Sequence, residues 1–142
     1  MRNFIRITAI LVAYFLTGCS SSPSVTSCTL NTDEFHASAS IQRINVDNQF
    51  TTNVKIQQVN KDGSRTTIAS PTIKSVAGQK ATISVRPHAH ADWGDVTTVS
   101  VDIPAAGNTE EAVIEVAIRQ NSQLVASPRM HLAVPTGLPE TN

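Results

Sequence analysis

Apolar residues recur at every second position along most of the chain, and this alternation is the strongest constraint on its fold. A period of two is typical of a β-strand with one buried face, and Val, Ile and Thr favour strands. The runs lie at residues 35–41, 50–56, 81–85, 99–103, 112–118 and 130–134. Stretches rich in Asn, Asp, Gly and Gln separate them, as turns require. We therefore predict an all-β chain, folded as a small β-sandwich of about seven or eight mostly antiparallel strands.

Two stretches of the chain resemble each other. Residues 54–76 and 114–134 both contain a strand pattern, a polar turn, a second strand, the triplet Ala-Ser-Pro and a further alternating run. Chance similarity between β-rich segments is one explanation, and two related halves of the domain are the other. Because Pro supplies no N–H group, Pro71 and Pro128 are predicted to mark strand breaks or edge positions where the chain passes between sheets.

The N-terminal residues have the pattern of a secretory signal peptide. Arg2 and Arg6 precede an apolar run from Ile7 to Leu16, which is shorter than the roughly 20 residues of a membrane-spanning helix. The run ends in the small residues of "LTGC", residues 16–19. The polar stretch "SSSPSVTS" follows, and its composition is typical of a flexible linker.

The residues "LTGC" resemble the lipobox of bacterial lipoproteins. The resemblance implies that Cys19 carries a diacylglycerol on its sulfur, that the chain is cut before Cys19, and that the new amino group is acylated. Ser20, in place of Asp, implies the outer membrane, with the domain facing the periplasm. The predicted organisation is a signal peptide at 1–18, the lipidated cysteine and linker at 19–32, and the sandwich domain at 33–142. The alternative is an unmodified Cys19 in an uncleaved anchor or a non-lipid signal peptide.

The charge and cysteine content of the processed chain bear on its partners and on its disulfide bonds. Removing Arg2 and Arg6 from the 11 basic residues leaves 9 against 11 acidic ones. No basic cluster is present to follow a phosphate backbone, so we expect no nucleic-acid partner. With Cys19 lipidated, Cys28 is the one remaining thiol, and we therefore predict no intramolecular disulfide.

Residues 69–85, "ASPTIKSVAGQKATISV", resemble a strand, turn and strand of the bacterial secretins, which are outer-membrane channels. The matching positions are Pro71, Ile73, Gly78, Gln79, Ala81, Ile83 and Val85. The chain is too short for a secretin channel, and the second repeat departs from the pattern with "VPTGLPETN". The resemblance implies a strand-pairing hairpin, with 72–76 and 129–134 as contact strands and Ile73 and Met130 as candidate partner-contact residues.

The sequence contains no familiar catalytic motif, and we predict neither an enzyme nor a cofactor beyond the lipid on Cys19. In "RPHAHADWGD", His88, His90 and Asp92 alternate and would suit Zn²⁺ or Cu²⁺. A closed site needs about four ligands, and His36, His131 and Asp95 are unassigned candidates for the fourth. An exposed polar loop with Trp93 packed as a lid is the favoured interpretation.

Two functions follow from these patterns. The favoured one is a lipid-anchored structural or adaptor component of a cell-envelope assembly, with a secretin-like channel or a second copy of the chain as its partner. The alternative is a periplasmic metal-binding lipoprotein that uses His88, His90 and Asp92.

Overall fold

Strands account for all the regular secondary structure in the part of the chain that the computed structural model describes, residues 17–21, 24–44, 47–86, 95–105 and 111–138. In chain order they are β1 Thr17–Ser21, β2 Val25–Asn31, β3 Phe35–Arg43, β4 Gln49–Val59, β5 Arg65–Ala69, β6 Thr72–Val76, β7 Lys80–Val85, β8 Val96–Asp102, β9 Glu111–Gln120, β10 Gln123–Ala126 and β11 Arg129–Ala133.

The strands form two antiparallel sheets, and each sheet comes from one half of the chain. The first has the order β1-β2-β3-β4, with β5 and β6 following each other along the remaining side of β4. The second has the order β7-β8-β9, with β10 and β11 following each other along β9. The sheets pack against each other with β11 beside β2 and β6 beside β7. The predicted all-β sandwich is confirmed. It has more strands than predicted because each half ends in a strand broken in two and because β1 and β2 precede the first predicted run.

The core lies between the two sheets and follows the alternation of the sequence. In β3 and β9 every second side chain is buried and the residues between them are half-exposed. The largest side chains with almost no exposed surface are Leu30, Ile41, Ile56, Ile103, Ile114, Ile118, Met130 and Leu132, and Phe35 and Phe50 are also buried. Burying one such side chain stabilises the fold by about 1.5–3 kcal/mol, so the contact between the inner faces holds the two halves together.

The two halves share a pairing register as well as a topology. Directly opposed residues in the first sheet form the row Cys28, Ala39, Val54. The equivalent row in the second sheet is Ile83, Val99, Val116. Each half also has a register shift at the same place, beside Ile56 in one and beside Ile118 in the other. β2 is therefore the counterpart of β7, and β6 is the counterpart of β11.

Pro71 and Pro128 divide the last strand of each half, as predicted. The Pro71 carbonyl accepts a hydrogen bond from the Val54 N–H at 3.0 Å, and the Pro128 carbonyl accepts one from the Val116 N–H at 2.9 Å. The chain does not pass between sheets at either proline, which corrects the second part of the prediction. β5 and β6 both pair with β4, and β10 and β11 both pair with β9.

The segment 69–85 does not form the hairpin that its resemblance to secretins implies. β6 and β7 belong to different sheets, and the turn at 77–79 joins them. Gly78 has a φ of 83°, which a residue without a Cβ adopts readily, and its N–H donates to the Ile103 carbonyl at 2.7 Å. The turn is therefore a corner of the sandwich, because it carries the chain from the first half to the second.

The sandwich begins closer to the N-terminus than the predicted boundary at residue 33. β2 pairs with β3 along its whole length, and Thr26, Cys28 and Leu30 are buried. These residues alternate, but two of the three are small and not strongly apolar, so the sequence lacks a recognisable apolar run. The predicted linker at 19–32 therefore contains a core strand.

Candidate functional site

The first candidate site is Cys19, the predicted lipid attachment residue, which lies in β1 at the edge of the first sheet. β1 pairs antiparallel with β2, and this pairing places Cys19 directly opposite Cys28 with 4.1 Å between their Cα atoms. The two sulfurs are joined in a disulfide. Cys19 is exposed at the rim of the sandwich, whereas Cys28 is buried in the core.

The disulfide differs from the prediction that the chain forms none. That prediction rested on lipid occupying the sulfur of Cys19. One sulfur cannot be bonded both to a diacylglycerol carbon and to Cys28, so the lipidated chain and the disulfide-bonded chain are alternative states. The signal that sequence reasoning missed is "SSPS" at 21–24, a turn-like stretch between the two cysteines.

The second candidate site consists of the predicted contact strands and their residues Ile73 and Met130. The strands lie at sheet edges, because β6 pairs only with β4 and β11 only with β9 among the described strands. The two side chains are unsuitable for contact with a partner, since Ile73 is 6% and Met130 is 1% exposed. The edge prediction therefore fits the structure, but the chosen side chains belong to the core.

The main-chain groups of β6 alternate between the sheet and its outer edge. The Pro71 carbonyl accepts from β4, and antiparallel ladder bonds then recur at every second residue. Ile73 and Ser75 therefore direct their N–H and C=O groups toward β4, whereas Thr72 and Lys74 direct theirs outward. The outward groups of Thr72 and Lys74 are the ones that a partner strand can reach.

The same alternation holds in β11, starting from the Pro128 carbonyl. Met130 and Leu132 direct their main-chain groups toward β9, and Arg129 and His131 direct theirs outward. The next outward carbonyl, that of Ala133, already accepts a hydrogen bond of 2.6 Å from the Thr26 hydroxyl of β2. This bond ties one end of β11 to the other sheet, so the edge of β6 is the more open of the two.

Charged side chains cross the outer face of the second sheet. The Glu115 carboxylate of β9 pairs with the Arg129 guanidinium of β11 and lies 3.5 Å from the Lys80 ammonium of β7. Arg129 first, and then Lys80, hold the pKa of Glu115 below its ordinary value. All three side chains are well exposed, so the pairs contribute little to stability.

The predicted metal ligands His88, His90 and Asp92 lie outside the described residues, and so does Trp93. Within the described ranges, no group of three or more His, Cys, Asp or Glu residues is arranged to hold a metal ion.

The three candidates for a fourth ligand lie in different parts of the fold. His36 is in β3, where its ring hydrogen-bonds the Asn31 side chain, and burial, followed by nearby Arg65 and Lys55, lowers its pKa. His131, in β11, has its Nδ1 3.5 Å from the Glu111 carboxylate. Asp95, just before β8, accepts a hydrogen bond of 2.8 Å from the main-chain N–H of Asn121 at the β9–β10 turn.

Two shallow depressions occupy equivalent places on the outer faces of the sandwich, beside Ser70 and Ser127 of the repeated triplet. Their volumes are about 280 and 310 Å³. Lys55 is the charged residue that lines the first, and the Glu115–Arg129 ion pair lines the second. The depressions mark the breaks between β5 and β6 and between β10 and β11, and both result from the repeated fold.

No known protein family, curated protein or solved structure matches this chain. The described residues contain no helix of the length and apolar character that a membrane crossing requires.

Proposed function

We propose that this chain is a lipid-anchored, non-enzymatic structural or adaptor component of a cell-envelope assembly at the periplasmic face of the outer membrane. The observation that carries the proposal is the box Leu16-Thr17-Gly18-Cys19 at the end of a short apolar run that follows two arginines. Cys19 is exposed at the rim of the first sheet, so acyl chains attached to it leave the sandwich without displacing the core. More than one chain on this residue gives stable anchoring.

The anchor holds the sandwich close to the membrane. Only residues 20–24 separate Cys19 from the first residue of β2, and this segment spans about 17 Å at full extension. The domain therefore works next to the bilayer surface, and its partner must also lie close to that surface.

The partner contacts are proposed to use sheet edges. An edge strand offers unpaired N–H and C=O groups that can add a strand from another protein. β6 offers those of Thr72 and Lys74, and β11 offers those of Arg129 and His131. The secretin-like segment supports no particular partner, because it forms a corner between sheets and not a hairpin. The proposed partner is thus a membrane-associated protein with an accessible strand.

Native gel electrophoresis of gently solubilised membranes tests this proposal. We expect the lipoprotein to migrate in a complex, and we expect Lys74→Pro combined with His131→Pro to lower the fraction of the chain found there. Both changes block an outward N–H group and leave the internal ladder bonds in place. Lys61→Pro, in the exposed turn between β4 and β5, is the matched control. A wild-type chain that migrates as a free monomer under every mild condition contradicts the proposal.

A further inference from the structure

The equivalence of the two halves breaks down at one place, the outer side of β7. β2 and β7 are counterparts, and β2 has β3 on one side and β1 on the other. β7 has β8 on one side, and no strand of the described chain occupies the other. The fold thus places an antiparallel neighbour beside β2 and leaves the corresponding side of β7 open.

The open side of β7 exposes apolar surface. The residues of β2 that face the core are Thr26, Cys28 and Leu30, and none is more than 3% exposed. Their counterparts in β7, Ala81, Ile83 and Val85, lie opposite the buried residues of β8 and face the same side. Ile83 nevertheless remains 36% exposed, although its counterpart Cys28 is 1% exposed. A strand paired beside β7 would cover the exposed part of Ile83.

β7 also lacks the features that shorten the other two edges. The edge formed by β5 and β6 is interrupted at Pro71 and carries Lys74, and the edge formed by β10 and β11 is interrupted at Pro128 and carries Arg129. Breaks, prolines and charges of this kind limit the length of strand that can pair at those two edges. β7 runs through six residues without a proline, and its one charge, Lys80, is at its first position.

We propose that β7 pairs antiparallel with β7 of a second copy of this chain, about a two-fold axis at Thr82. The two second-half sheets then form one continuous sheet. In this register Thr82 faces Thr82 of the other copy. Ala81 faces Ile83 of the other copy on the core side. A small side chain opposite a large one makes the pairing self-complementary, as an isologous interface requires.

Charge selects this register. Shifting the pairing so that Ile83 faces Ile83 places Lys80 opposite Arg86 of the second copy, and directly opposed like charges are destabilising. In the proposed register Lys80 faces Ser84, and the two lysines lie at opposite ends of the pairing. On the outer face, the hydroxyl pairs Thr82–Ser100 at 3.0 Å and Ser84–Thr98 at 3.1 Å continue into the Thr82–Thr82 pair.

The inference rests on the proposed function in one respect. A single pair of short strands is a small interface, and lipid anchoring supplies the missing affinity by confining the copies to one surface at high effective concentration.

Crosslinking in intact cells tests the pairing. We expect Thr82→Cys in the full-length lipoprotein to give a covalent dimer with a short bifunctional thiol reagent, at a yield at least about fivefold above that of Lys74→Cys on the edge of β6. The wild-type chain, whose remaining thiol Cys28 is buried, is the blank. Ile83→Lys should abolish the Thr82→Cys dimer, whereas Ile44→Lys, at a similarly exposed isoleucine, should leave it unchanged. Circular dichroism confirms that each variant folds.

Equal crosslinking of Thr82→Cys and Lys74→Cys overturns the self-pairing, and so does a dimer that survives Ile83→Lys. A Thr82→Cys product with the mass of a different protein also overturns it. If no dimer forms while native gels still show a complex, the self-pairing fails and the proposed function stands. If the chain is also a free monomer on native gels, both fail.

Discussion

Pro71 and Pro128 accept equivalent main-chain hydrogen bonds in the two halves of the sandwich, from Val54 at 3.0 Å and from Val116 at 2.9 Å. Each proline therefore fixes which residues of the following strand turn their main-chain groups inward. The residue two positions after each proline, Ile73 or Met130, faces the core with its side chain and bonds the central strand with its main chain.

The alternation in β6 predicts a large loss of stability for proline at Ile73 and a small one for proline at Lys74. Ile73→Pro removes a ladder hydrogen bond and a buried side chain, and we expect it to lower the free energy of unfolding by more than about 3 kcal/mol. Lys74→Pro removes an outward N–H group and should cost about 1 kcal/mol. Urea unfolding followed by circular dichroism measures both. Equal losses at the two positions would show that the ladder does not alternate as described.

Thr52 offers a direct test of the core, because its hydroxyl is buried and has no hydrogen-bond partner among the described residues. A buried, unsatisfied hydroxyl costs about 1–3 kcal/mol. Thr52→Val keeps the shape of the side chain and should raise the free energy of unfolding by about 1 kcal/mol. Thr51→Val, on the outer face of β4, is the control and should change it by less than about 0.5 kcal/mol. Destabilisation by Thr52→Val would mean that the hydroxyl is satisfied.

The ion pairs of Glu115 make the stability of the fold depend on pH. Arg129 and Lys80 hold its pKa in the folded chain below the ordinary value of 4.5. Its contribution to stability is therefore present above pH 4.5 and disappears as the pH falls through the folded pKa. We expect Glu115→Gln to lower the melting temperature slightly at neutral pH and to match the wild type once the pH is below the folded pKa of Glu115. High salt should shrink the neutral-pH difference, since the pairs are exposed.

Glu34→Gln, at the exposed turn between β2 and β3, removes the same charge and serves as the control. A difference between Glu115→Gln and the wild type that persists unchanged to low pH would contradict the ion-pair account.

The histidine-rich segment is expected not to bind metal tightly. His88, His90 and Asp92 supply three ligands where a closed site uses about four. Titration calorimetry of the purified lipoprotein with Zn²⁺ and Cu²⁺ should show no stoichiometric uptake at micromolar or tighter affinity. A stoichiometric site that is lost in the His88→Ala, His90→Ala variant would favour the alternative function, a metal-binding periplasmic lipoprotein.

The alternation of the sequence predicts most of the core because a strand with one buried face leaves a period of two. Phe35 to Ile41 and Ala112 to Ile118 are examples in which every predicted inward residue is buried. The repeated Ala-Ser-Pro triplet likewise predicts the two broken strands and the relation between the halves.

Other features leave no comparable signal. β2 carries Thr26 and Cys28 at buried positions, and such small side chains do not produce an apolar run. The corner at Gly78 has the composition of a hairpin turn, because either turn favours a glycine with positive φ. The pairing of Cys19 with Cys28 depends on β1 folding back onto β2, which the lipobox resemblance gives no reason to expect.

Mass spectrometry of the protein purified from membranes, combined with thiol counting, tests lipid attachment at Cys19 most directly. We predict a chain that begins at Cys19 and carries acyl groups there, with one thiol, Cys28, that reacts with maleimide after denaturation without a reductant. Cys19→Ser should abolish incorporation of a radioactive fatty acid. The contradicting result is a chain without lipid in which both cysteines react only after reduction, because the disulfide would then occupy the sulfur on which the account depends.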